Sequence, residues 1–114
     1  MTPEGRVKKL VTSYLKDLQE ALTDPVTLQC PLHWHMFVPT GYGRRNTLDY
    51  TICFYGHHVS IETKAPGEDL TPNQRITCRD LYHAGATVFI ISGGEGLESF
   101  QRWVRDYASQ HFKG

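Results

Sequence analysis

Between Asp49 and Lys64 the chain reads as a β-hairpin, and no other stretch narrows the possible folds so far. Leu48, Tyr50, Ile52 and Phe54 alternate with Thr47, Asp49, Thr51 and Cys53. After Tyr55-Gly56-His57-His58, the apolar Val59 and Ile61 alternate with Ser60, Glu62 and Lys64. Alternation of this kind marks a strand with one apolar and one polar face. Residues two apart on a strand share a face at a spacing of roughly 7 Å, so Glu62 and Lys64 stand together, with His58 and Ser60 beside them. Asp49 falls in the polar set of the first arm. Two carboxylates and one ammonium can therefore converge on one patch of a sheet, a donor set suited to a hard divalent cation and to phosphodiester hydrolysis.

Periodicity supplies the remaining elements. Thr2-Pro3 is a helix start, with a hydroxyl cap and a proline in the first turn. Val7, Leu10, Val11, Tyr14, Leu15, Leu18 and Leu22 follow at helical spacing, which predicts a helix over about 3–22 that ends before Asp24-Pro25. Residues 34–38 read as a short strand closed by Pro39 and the Gly41-Tyr42-Gly43 turn. Thr71-Pro72-Asn73-Gln74 is a capping-box pattern and Gly85 a natural stop, predicting a second helix over about 72–84. Residues 86–92 form a nearly continuous apolar run, as in a strand buried on both faces. Ser92-Gly93-Gly94-Glu95-Gly96 lacks the lysine and hydroxyl residue of a phosphate-binding loop and reads as a flexible connection. Leu97, Phe100, Val104, Tyr107 and Ala108 then define a last helix over about 97–110. The order is α-β-β-β-α-β-α, an α/β chain with a mixed sheet flanked by helices.

A chain of 114 residues supports one domain, 1–114, with one modest core. Lysine plus arginine balance aspartate plus glutamate at 12 each, which counts against a broad basic footprint for nucleic acid. The distribution is uneven, however: Arg6, Lys8, Lys9 and Lys16 load the first helix, and Arg44-Arg45 precede Asp49. No apolar run approaches the roughly 20 residues of a membrane span, and Met1 is followed at once by polar residues, so no secretory signal is visible. Cys30, Cys53 and Cys78 lack paired spacing, which favours a reduced, intracellular and hence cytoplasmic setting, or a host cytoplasm for a viral chain.

Asp49, the Glu62-Thr63-Lys64 triplet and a helix opening with Gln74 resemble the PD-(D/E)XK nuclease superfamily. Within it, stand-alone VRR-type nucleases and archaeal-type Holliday-junction resolvases are similar in size and in order of parts, from about Glu4 to about Ile91. The resemblance implies a restriction-endonuclease-like core in which Asp49, Glu62 and the backbone carbonyl of Thr63 bind Mg2+, with Mn2+ able to substitute. It also implies that Lys64 orients water or stabilises developing charge, that Gln74 faces the active site, and that the first-helix Glu4 is aimed at the metal. The activity implied is an endonuclease on DNA, in branched or otherwise structured form, working as a homodimer.

Each of these residues also has a plainer reading. Glu62 and Lys64 could form an exposed ion pair worth little, Glu4 could complement the helix dipole, and Gln74 completes the capping box. Arg44, Arg45 and Asn46 could grip phosphates flanking the cut or form a solvated turn. Cys30, His33 and His35 resemble a fragment of a zinc site but lack a fourth ligand with paired spacing. His57-His58 is expected in a solvated turn, and Trp34 and Trp103 in the core. Rival functions are a catalytically silent DNA-binding or interaction module of the same fold, and an RNA or nucleotide phosphodiesterase.

Overall fold

The computed structural model describes residues 1–37 and 47–111. Among these, the elements in chain order are α1 (Pro3–Leu22), β1 (Leu32–Met36), β2 (Tyr50–Phe54), β3 (His57–Thr63), α2 (Pro72–His83), β4 (Thr87–Ile91) and α3 (Gly94–His111). β1, β2 and β3 pair antiparallel in chain order, and β4 joins β3 in parallel after the α2 crossover. This is the mixed sheet and the order of elements that the periodicity indicates.

The β2–β3 turn fixes the register of the hairpin. Tyr55 and Gly56 are both left-handed, with φ of 50° and 78°, the two-residue type I′ geometry whose twist matches the flanking strands. Phe54 therefore faces His57, and the ladder runs back to Tyr50 opposite Ile61. The histidines expected in the turn lie instead in β3, because two residues suffice to reverse the chain. His57 shares a 2.7 Å hydrogen bond with Thr87 and packs 5.3 Å from the Tyr107 ring. His58 faces the other side of the sheet.

One face of the sheet is the core. Tyr50, Ile52, Phe54, Val59, Ile61 and Ile91 are buried there against Val7, Val11 and Leu15 of α1 and Phe100 and Val104 of α3. The Tyr50 hydroxyl donates to the Lys8 carbonyl at 3.0 Å and lies 2.7 Å from the Thr12 hydroxyl, tying β2 to α1. Burial raises the Tyr50 phenol above its ordinary pKa. Trp34 donates its indole N–H to the Gln19 side chain at 3.1 Å, and Trp103 stacks on Tyr107 at 4.8 Å, so both tryptophans serve packing.

Three expectations change. β1 spans Leu32–Met36 because Leu32, opposite Phe54 and 2 % exposed, is its first inward residue. β4 is an edge strand, not one buried on both faces: Ile91 is buried, whereas Ile90 is 42 % exposed, because α2 packs loosely on that flank and has no fully buried residue. The glycine tract after β4 is no mere connection, since α3 begins at Gly94. A Cβ on Gly96 would stand 3.2 Å from the Ile91 Cα and 3.3 Å from the Ile90 carbonyl, so the helix start approaches the strand only because that side chain is missing.

Candidate active site

The hairpin register that starts at Tyr55-Gly56 continues one step past Tyr50 and Ile61, setting Asp49 opposite Glu62. Directly opposed residues in an antiparallel pair hold their Cβ atoms about 5 Å apart. Asp49 is 5 % exposed, Glu62 2 % and Lys64 7 %. The exposed ion pair that could have explained the Glu-x-Lys spacing is therefore ruled out by burial.

Buried carboxylates are costly unless donors surround them, and here the donors come from the site itself. Glu62 accepts the Asp49 backbone N–H at 3.1 Å on one oxygen and the Gln74 amide at 2.6 Å on the other. Asp49 accepts the Thr63 backbone N–H at 2.9 Å and the Thr63 hydroxyl at 2.6 Å, both on one oxygen. The two acids are thus interlocked through the Asp49 and Thr63 backbones and cannot turn independently.

Gln74 makes the contacts of both readings simultaneously. Its carbonyl oxygen accepts the Thr71 N–H at 2.9 Å and its backbone N–H donates to the Thr71 hydroxyl at 3.2 Å, closing the capping box. The amide nitrogen left over by that arrangement is the one that reaches Glu62. Helix α2 is in this way anchored to the acid, on the sheet face opposite the core. Cys78, farther along α2, has its thiol pKa raised by burial and, secondarily, by the Glu62 charge.

Lys64 follows β3, with its backbone N–H bonded to the Ile91 carbonyl at 3.0 Å. Strand alternation gives its side chain the face of Glu62. Among the described residues its ammonium has no ion-pair or hydrogen-bond partner.

Glu4 is not brought to this cluster. It pairs with Lys8 one helical turn on, at 3.5 Å, with both side chains more than a third exposed. Arg44, Arg45 and Asn46 lie outside the described residues. Cys30 donates its thiol to the Gln19 carbonyl at 3.7 Å, and among the described residues no group of three or more His, Cys, Asp or Glu side chains could hold a metal ion. A Mg2+ ion needs less than that. It keeps several waters and takes one or two carboxylates, all hard oxygen donors, and the Asp49–Glu62 pair fits this requirement. The contribution of the Thr63 side chain could not be anticipated, because a hydroxyl inside a strand is ordinarily read as a pleat residue.

Comparison with solved structures gives a likeness to a VRR_NUC domain, with a TM-score of 0.64 over 90 % of this chain and 97 % of that one, at 22 % sequence identity. The chain has a restriction-endonuclease-like α/β fold. More narrowly, its fold is that of a VRR-nuclease domain. No family model and no curated protein matches the sequence.

Proposed function

We propose that the protein is a metal-dependent DNA endonuclease that hydrolyses phosphodiester bonds, in branched or otherwise structured DNA. The observation that carries this reading is the interlocked, buried Asp49–Glu62 pair, with Lys64, whose ammonium has no partner among the described residues, on the same face. Asp49 and Glu62 hold Mg2+, or Mn2+ in its place, with the Thr63 carbonyl as a further ligand. The metal, when bound, supplies Lewis acidity toward the phosphate and a more acidic water. Thr63 fixes the rotamer of Asp49, and Gln74 fixes that of Glu62. Lys64 orients the attacking water and balances charge developing on the phosphate. The likeness of the fold to that of a VRR_NUC domain supports the same reading. Ile76 and Tyr82 on α2 and Ile90 on β4 are exposed apolar side chains, and a second copy pairing on this side would allow paired cuts.

The test combines cleavage with stability. Labelled junction, flap and duplex DNA are incubated with the protein in Mg2+, Mn2+ or EDTA, and thermal unfolding is followed with and without Mg2+. Cleavage is expected only with metal. Mg2+ at 100 times its Kd is expected to stabilise the fold by about 2.7 kcal/mol, and Asp49→Asn to abolish both effects. Equal cutting in EDTA would refute the mechanism, and metal-independent binding without cutting would favour the silent module.

Thr63→Val keeps the strand side chain's shape and removes only the hydroxyl that holds Asp49. The expected outcome is a fall in kcat of roughly tenfold or more, as for other groups that orient a ligand, with Thr63→Ser close to wild type. A Thr63→Val enzyme of full kcat would show that the hydroxyl has no part in placing Asp49.

A further inference from the structure

We infer that the open sheet face beside Asp49 and Glu62 is the track for the sugar–phosphate backbone of the substrate, gripped by His33, His35 and His58. This rests on the nuclease reading of the neighbouring carboxylates and adds to it the place where the nucleic acid lies.

These histidines come from separate parts of the chain, and the register brings them together. His33 on β1, Cys53 on β2 and His58 on β3 are successive partners across the sheet. His35, Thr51 and Ser60 form the next row, and Asp49 and Glu62 stand at the start of the row after that. Rows two residues apart are separated by about 6.6 Å, so the far histidine row lies about 13 Å from the carboxylates along the strands. His33, His35, Cys53 and His58 are exposed. With Thr51, Ile52 and Gly56 they line a groove of about 500 Å³. α1 and α3 cover the other face, and α2 packs at the β4 side, so among the described residues no helix lies over this part of the sheet.

The chemistry of the face points to a polyanion. On β1, β2 and β3 the strand residues of this face are imidazoles, hydroxyls and one thiol, and Asp49 and Glu62 are the acids beside them. An imidazole can donate an N–H to a phosphate oxygen, and once protonated it adds a positive charge. Protein contacts to DNA go largely to phosphates and sugars, and a strand cut at the carboxylates must continue somewhere beyond the scissile bond. The groove lies on the same sheet face as the acids, two strand rows away at its far end, and provides that path. A second copy of the chain would be better served by the apolar side chains exposed on α2 and β4, since the buried centres of interfaces between copies are depleted of charge and rich in apolar groups.

The experiment measures binding of a labelled single strand and its duplex by fluorescence anisotropy, with Ca2+ in place of Mg2+. His58 already shares a 2.8 Å hydrogen bond with Ser60 through Nε2, which leaves Nδ1 for a phosphate; combining His33→Ala, His35→Ala and His58→Ala removes all three imidazoles, so Kd is expected to rise about tenfold or more. The matching triple lysine variant is expected to tighten binding and steepen its salt dependence. Cys53 lies in the middle of the groove, so saturating oligonucleotide is expected to slow its alkylation by N-ethylmaleimide while leaving Cys30 unchanged. Unchanged Kd in the alanine variant together with an unshielded Cys53 overturns the track. Loss of self-association in that variant, seen by sedimentation with DNA affinity intact, assigns the face to a second copy and also overturns it. Cleavage by the wild type with an unaltered Kd in the variants would sink the track alone, whereas tight, histidine-dependent binding with no cutting in Mg2+ would sink only the nuclease reading. Absence of any nucleic-acid binding by the wild type would sink both.

Discussion

Lys64→Ala is expected to lower the rate of DNA cleavage by about 10²–10³-fold, the usual cost of removing one preorganised charge from a developing oxyanion. Three observations make the effect large. The side chain is 7 % exposed, so its charge acts with little solvent between it and the phosphate. It has no partner among the described residues, so no carboxylate among them holds it in an ion pair. It also shares a strand face with Glu62, two residues away. The backbone at Lys64 is held by the bond to Ile91, which alanine keeps, so folding should survive and thermal stabilisation by Mg2+ should persist. Lys64→Arg restores the charge but replaces a compact ammonium with a planar fork, and only partial recovery is expected. Cleavage by Lys64→Ala at the wild-type rate would remove the ammonium from the mechanism.

Phe54→Ala is the substitution expected to cost the fold most, about 3–5 kcal/mol of unfolding free energy. Phe54 is 1 % exposed and closes β2 immediately before the hairpin turn. Its ring meets Tyr55 at 4.8 Å, Tyr107 at 6.0 Å and Trp103 at 6.1 Å, so it is the joint between the hairpin and α3. Truncation leaves a cavity lined by rigid aromatic rings that collapse poorly into it. Domains of this kind have only about 5–15 kcal/mol in total, so the urea midpoint should fall by a large fraction with the slope unchanged. Phe54→Leu should recover most of the loss. A midpoint for Phe54→Ala equal to wild type would mean that this cluster does not hold α3 to the sheet.

The site was legible where its residues sit on one local element. Asp49, Glu62 and Lys64 could be grouped from the alternation of a single hairpin, and Gln74 from a capping pattern that the helix start shows in full. Glu4 could not be placed, because a glutamate in the first turn satisfies both a helix-dipole reading and a site reading. The structure turns it to Lys8, an i,i+4 neighbour that the helix itself supplies. Gly96 was misread for a related reason: a glycine needed for close packing and a glycine in a connection look alike until the neighbouring strand is present.

The amino-acid sequence by itself determined the elements, their order and which side of the two hairpin strands is polar, because side-chain periodicity follows from backbone geometry within a few residues. Tertiary structure alone decided that β4 lies at an edge, that Thr63 clasps Asp49, and that His33, His35, Cys53 and His58 share a face. Those facts depend on strand order and on the register set by a two-residue turn, where a slip of one residue would send every side chain to the opposite side. Such pairings join positions as far apart as His33 and His58, and no local pattern carries that information.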